Sequence, residues 1–412
     1  MMIRIFRTLL ISLALVGASA PVSASDTDPE IAALRAELAA ILDRLDALET
    51  SNRRLQEENS RLSAGNTAPA DKASAKDSWA DRIRVKGDFR MRYENIDEQG
   101  RDGRNRDRVR ARAAIIADIN EDLEVGLGMA SGGDDPVSTN QTLGAGGSTK
   151  DLRLDLAYFK WAGWENTTLV GGKFKNILYK PGGHGMLWDG DWNPEGIGLA
   201  WADQGRFLNL QGTWLESDSR NQAEFAWSVQ GGFSTSVGDN ATLTAGAAYH
   251  HFGTEGKGVF YGDADDFFGN SFDPVSLTYL HDYDELELFL DLDFTLNDQP
   301  ASLFLDYVQN QDASAHDTGY ALGFGYGSTK APGGWEFGYT WQDLEADAVF
   351  GLLSDSDFGG GDTGVRGHIF QLGYGIAKNW NAKLTYLVNE RAVGTSSERD
   401  YDRLQLDLGF KY

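Results

Sequence analysis

From Arg82 to Glu94 the chain reads RIRVKGDFRMRYE. Ile83, Val85, Gly87, Phe89, Met91 and Tyr93 make one row, and Arg82, Arg84, Lys86, Asp88, Arg90, Arg92 and Glu94 make the other. A period of two is that of a β-strand with two unlike faces, because successive Cβ atoms leave opposite sides of the sheet. The pattern recurs. Leu286, Leu288, Leu290, Leu292, Phe294 and Leu296 alternate with Glu285, Glu287, Phe289, Asp291, Asp293 and Thr295. At the C-terminus Leu404, Leu406, Leu408, Phe410 and Tyr412 alternate with Arg403, Gln405, Asp407, Gly409 and Lys411. The chain from Trp79 onward is therefore all-β, and the question becomes which solvent each face meets, since a soluble sandwich also alternates.

The connections answer it. Short turns are marked by NED at 120–122, GWEN at 163–166, DQG at 203–205, GDN at 238–240, NDQP at 297–300, KAPGG at 330–334 and KNWN at 378–381. Longer polar segments follow Ala130, Tyr179, Phe252 and Gly351. Short turns at one end and long loops at the other are the plan of an outer-membrane barrel, and these turns, with both barrel ends on the turn side, predict about 16 antiparallel strands. Tyr93, Tyr158, Trp161, Tyr179, Trp214, Tyr249, Tyr307, Trp380 and Tyr412 fall near predicted strand ends, where interfacial aromatic girdles belong. In a barrel this wide the interior is wet, so the charged row faces water and the apolar row faces lipid.

Ahead of the barrel, three segments are expected. Arg4 and Arg7 precede the apolar run LLISLALVGA, and VSA at 22–24 suits cleavage by signal peptidase, so 1–24 read as a signal peptide. Within 29–62, Ile31, Leu38, Leu45, Asn52 and Asn59 occupy heptad a positions, and Leu34, Ile41, Leu48, Leu55 and Leu62 occupy d. That spacing predicts an N-terminal α-helical coiled coil, with the two Asn fixing register and Leu at a with Ile at d leaning toward a homotrimer. Residues 63–78, SAGNTAPADKASAKDS, read as a flexible linker, and 79–412 as the transmembrane β-barrel. Export to the outer membrane of a Gram-negative bacterium follows, with the coil in the periplasm.

Composition removes other classes. The 412 residues contain no Cys, which excludes disulfides and thiolate metal sites. A formal net charge of −25 argues against nucleic acid as a partner. No apolar run beyond the leader is long enough for a membrane helix, which leaves a barrel as the membrane-spanning option.

Inward charges are the candidate pore lining. The first two strands carry Arg82, Arg84, Lys86, Arg90, Arg92, Arg108, Arg110 and Arg112. The tenth carries Glu285, Glu287, Asp291 and Asp293, and the eleventh carries Asp306. In a ring of about 16 strands the second and tenth lie half a circumference apart, so a basic wall faces an acidic one and sets up a transverse field that favours polar solutes. Two other readings stay open: the rows simply keep the lumen wet, or the arginines form a ladder for anions such as phosphate. DSDFGGGD at 355–362 spaces carboxylates somewhat as calcium loops do but lacks the terminal bidentate Glu, so a solvated loop or loose divalent binding near lipopolysaccharide is expected. GAGGSTK at 144–150 places Lys after Ser-Thr, the reverse of a phosphate loop, and no cofactor is expected. His184, His250, His251, His281, His316 and His368 are scattered without a triad spacing, so no catalysis is expected.

SGGDDPVSTNQTLG at 131–144, KPGGHGMLWDGDWNPEG at 180–196, DSDFGGGDTGVRGH at 355–368 and the terminal YDRLQLDLGFKY resemble the putative porin family of Gram-negative outer-membrane proteins. The resemblance implies a 16-stranded channel similar in plan to general and phosphate-selective porins, which are typically trimers. It also implies that Tyr412, in place of the commoner Phe, is the terminal aromatic read by the barrel-assembly machinery. By analogy with general porins, the segment from Pro181 to Pro194 is the candidate constriction. The function expected is passive diffusion of small polar solutes and ions, with an anion-selective channel or an envelope tether built on the coil as alternatives.

Overall fold

The computed structural model describes residues 79–412 except 218–222, together with Thr50. The expected signal peptide, coiled coil and linker lie, Thr50 apart, outside the described residues.

After a short turn at Trp79–Arg82, the barrel opens with β1 (Ile83–Glu98), β2 (Arg104–Asp118), β3 (Leu123–Ser131) and β4 (Leu152–Trp164). It continues through β5 (Thr167–Lys173), β6 (Glu195–Asp203), β7 (Arg206–Glu216), β8 (Glu224–Val237) and β9 (Ala241–Phe252). The second half comprises β10 (Tyr283–Leu296), β11 (Gln299–Asn310), β12 (Thr318–Gly327) and β13 (Trp335–Leu344). It ends with β14 (Val365–Ala377), β15 (Trp380–Arg391) and β16 (Arg399–Lys411). Each strand pairs antiparallel with its chain neighbour, and β1 pairs with both β2 and β16, Phe89 lying opposite Ala111 on one side and Phe410 on the other. The sheet is a closed barrel of sixteen strands. Closure gives every strand a partner on both edges, the condition for a sheet to stand in hydrocarbon. Beside the short β3, Gln141–Thr142 pairs with β2 at Arg108 and Val109.

The turns sit where the sequence places them, and their chemistry is local. Asn297 and Asp298 both have positive φ, at 51° and 60°, which is the two-residue hairpin turn whose twist matches that of its strands. The opposite end carries eight connections, numbered here in chain order. Loop 2 spans 132–151, loop 3 spans 174–194, loop 5 spans 253–282 and loop 7 spans 345–364.

The apolar rows point out of the barrel. Val85 is 61% exposed and Leu127 52%, in company with Met91, Leu288, Leu290, Leu303 and Leu305 on widely separated strands. Such a surface suits lipid and would be costly in water. Two aromatics expected in the girdles do not belong there: Tyr158 turns inward and donates to Glu124 (2.9 Å), and Tyr179 sits in loop 3 inside the barrel. The packed core lies within the barrel, between loops. Met186, Leu187, Trp188 and Trp192 of loop 3 cluster with Phe252, Phe267, Tyr279 and Tyr283, and with Phe350, Leu352 and Leu353 of loop 7. Trp188 stacks on Trp192 with ring centroids 4.9 Å apart.

Candidate channel lining and its inner loops

Loop 3 crosses the lumen. Its first residues follow the wall: the Ile177 and Tyr179 amides donate to Gln211 of β7 (3.2 Å) and Gln230 of β8 (2.6 Å). The Tyr179 hydroxyl and the Gly182 amide both donate to Asp291 Oδ2 on β10, at 2.9 and 2.8 Å. At Gly182 (φ 58°) a Cβ would fall 2.2 Å from the Phe304 ring of β11, so only glycine lets the loop sit this close. His184 Nε2 lies 2.6 Å from Gln342 Oε1 on β13. The chain then returns to the opposite wall, where Asp191 accepts from Arg110 (3.3 Å) and Arg112 (2.9 Å) of β2 and from the amide and hydroxyl of Thr139 in loop 2 (3.2 and 2.9 Å).

Loop 7 lies on loop 3. The Asp189 amide donates to Leu353 O (2.8 Å), the Asp355 amide to Gly185 O (3.0 Å) and the Ser356 amide to Asp189 Oδ2 (2.9 Å). Asp357 then meets Arg92 (2.9 Å), Arg403 (2.7 Å) and Gln405 (2.8 Å), and Asp362 pairs with Arg391. Two of the three carboxylates in this calcium-loop-like spacing, Asp357 and Asp362, are thus taken up by guanidinium groups. Among the described residues no group of His, Asp and Glu is arranged to hold a metal.

Arg82 lies in the exposed turn before β1. Arg84 pairs with Asp118 (2.7 Å) and Glu124 (2.6 Å), and Lys86 opens to the lumen on the turn side. Arg90 donates to Asn140 of loop 2 (2.6 Å), while Arg92 grips Asp407 of β16 through Nε (2.6 Å) and Nη2 (2.8 Å). Arg108 lies 3.5 Å from Glu94, which also pairs with Arg106 and, at 2.6 Å, with Arg403. Arg110 and Arg112 share Asp88 (2.9 and 2.8 Å) besides Asp191. The acidic row is on the inner face of β10 and β11, eight strands from β2, but most of it is covered. Glu285 is 2% exposed and accepts the Phe350 amide (2.7 Å). Glu287, 1% exposed, sits 3.3 Å from His250, Asp306 is 3% exposed, and Asp291 lies under loop 3. Asp293 borders an open cavity of about 280 Å³.

Ionisation in the loops follows these contacts. Burial opposes the charge on Asp191, but Arg110, Arg112 and Thr139 outweigh it and hold the carboxyl below its usual range. Burial, and then the charges of Asp355 and Asp191, push Asp189 well up. Burial and the neighbouring Asp357 raise Asp355 to about 6. Burial lowers His184 to about 4, so its ring is neutral at pH 7.

Beside loop 3 a cavity of about 560 Å³ runs along β1, β15 and β16, bordered by Arg90, Arg92, Arg110, His184, Lys383 and Asp407. On the long-loop side a cavity of about 240 Å³ is bordered by Arg104, Arg106, Arg108 and Arg403. Asp357 borders both.

Residues 96–258 and 260–412 match the model of the family described as putative porin. The chain belongs to the putative porin family. Among solved structures, OprB of Pseudomonas putida is similar over 81% of this chain and 95% of its own, with 12% identity and a TM-score of 0.55. OmpF of Salmonella typhi, in a complex with daunomycin, is similar over 81% of this chain and 99% of its own, with 11% identity and a TM-score of 0.50. No curated protein matches the sequence. At such identities the likeness is one of fold. Family and fold together point to an outer-membrane channel rather than an enzyme.

Asp191, Asp357, Asp407, Arg403 and Lys383 join the lining without being among the residues expected there. The alternation in β16 already puts Arg403 and Asp407 on its charged face. Nothing local marks Asp191 or Asp357 as the partners of arginines in β1 and β2.

Proposed function

We infer that this porin lets small polar solutes and ions diffuse across the outer membrane. One observation carries the reading: loop 3 is tied to β10, β11 and β13 at one side and to β2 at the other, and a charged cavity of about 560 Å³ is left beside it. The ion pairs along that cavity set plus against minus, which favours hydrated and dipolar solutes over apolar ones. A homotrimer aligned by the heptads from Ile31 to Leu62 is the proposed assembly.

Anion preference is the second reading, favoured by the burial of Glu285, Glu287 and Asp306 while Arg104, Arg106, Arg108, Arg110 and Arg112 descend the inner face of β2. Reversal potentials in a salt gradient across planar bilayers test both. A conducting channel is required; a folded barrel that passes no current ends the porin reading. Arg110→Ser with Arg112→Ser is expected to move selectivity toward cations, most at low salt. If Glu287→Gln moves it as far the other way, the covered acidic wall does govern permeation and the anion reading falls.

A further inference from the structure

The turn-side half of the lumen holds a cavity of about 550 Å³ between the root of loop 3 and the wall from β1 to β6. Porin interiors are polar, yet Ile116 of β2, Leu156 of β4 and Val170 of β5 face inward here and meet Phe174 and Ile177 of loop 3. Around this apolar floor stand Lys86, Lys160, Lys175 and Lys411. Of the cavity's carboxylates, Asp88 is paired with Arg110 and Arg112 and Glu124 is held by Arg84 and Tyr158, while Asp155 accepts from Asn193 and is the acidic neighbour of Lys175. Among the described residues none of the four lysine amines forms a hydrogen bond or an ion pair. Lys175 is open to the cavity but ringed by wall atoms, and that burial draws its amine below the usual lysine range.

We propose that this cavity is a binding site for amphipathic carboxylates, organic acids with a single ring or a branched apolar body, whose carboxylate meets the lysine amines while the body lies on Ile116, Leu156 and Phe174. The proposal rests on the porin reading and names a solute class for it. An inorganic anion would find the charge but leave the floor wet, and a neutral apolar molecule would find the floor but leave the amines without an anion. Neither matches both halves. The arginines descending β2 end at this cavity with Arg112, so an acid entering from the long-loop side meets cationic groups along its path.

The test is benzoate binding to the full-length protein in detergent, followed by calorimetry, with inorganic phosphate and benzyl alcohol as comparators. Benzoate is expected to bind and both comparators to fail at the same concentration. Lys175→Gln is expected to weaken benzoate about tenfold, the worth of one charge-assisted contact, and Lys175→Arg to restore most of it. Ile116→Ser is expected to weaken it without affecting residual phosphate binding. No benzoate binding, phosphate binding as strong as benzoate, or benzoate binding unchanged in both Lys175→Gln and Ile116→Ser overturns the proposal. Bilayer recording separates the two levels: benzoate binding by a barrel that never conducts removes the porin reading and leaves the site standing.

Discussion

Replacing Asp191 with Asn should unhook loop 3 from the basic wall while leaving the barrel closed. The Asp191 carboxylate holds four donors: Arg110, Arg112 and the amide and hydroxyl of Thr139. A hydrogen bond to a charged group is worth about 1.5–3 kcal/mol net. The loss is smaller than the sum, because Arg110 and Arg112 keep Asp88 and neither charge is stranded. A weakening of about 2–3 kcal/mol raises the detached population of this end of loop 3 roughly 30- to 150-fold. The barrel ladders from β1 to β16 are untouched, so heat-modifiability on gels should be unchanged. Single-channel current noise should rise, and liposome swelling should admit larger sugars. Asp88→Asn is the control, since it removes the other carboxylate from the same arginines without touching the loop; it should shift the reversal potential toward anions with the sugar limit unmoved. If Asp191→Asn leaves noise and sugar limit at wild-type values, or if Asp88→Asn alters them equally, loop 3 is not held by this hook.

Acidification should steady the contact between loops 3 and 7. Asp355 has its carboxyl raised to about 6 against an ordinary value near 4, and Asp189 is raised as well. The protonated forms are therefore favoured in the folded contact, whose stability is full at low pH and falls as pH rises through about 6. Channel noise should grow between about pH 4 and 6, and Asp355→Asn should flatten that dependence; a slope of opposite sign would refute the assignment. Gly182→Val forces a side chain into the Phe304 ring at a positive φ, costing about 1–3 kcal/mol, and should make Lys180 newly sensitive to trypsin in the folded barrel. Deleting Ile31 to Leu62 should weaken oligomers on native gels while the barrel still folds, and an undiminished trimer would assign assembly to the barrel wall.

Strand number, turn positions and the outward apolar rows were legible in the sequence because each depends on local geometry. A two-residue period is a property of the extended backbone, so Ile83 to Tyr93 and Leu286 to Leu296 declare their outer face without knowledge of their partners. Asn297-Asp298 likewise makes its turn from its own tolerance of positive φ. Which face is inner is also local, and the inner placement of Arg92, Arg110, Glu287 and Asp306 follows from it. What covers that inner face is not local. Arg110 meets Asp191 81 residues away, Arg92 meets Asp357 265 away, and Glu94 meets Arg403 309 away. Those pairs exist only after β16 has closed on β1 and after loops 3 and 7 have folded into the lumen, where their tryptophans and phenylalanines bury against one another. Alternation could assign a charge to the lumen side, but only the closed barrel with its loops decided that the arginines of β1 and β2 would find loop carboxylates, that Glu285 and Glu287 would be sealed from water, and that, among the described residues, four lysine amines on the turn side would form no hydrogen bond or ion pair.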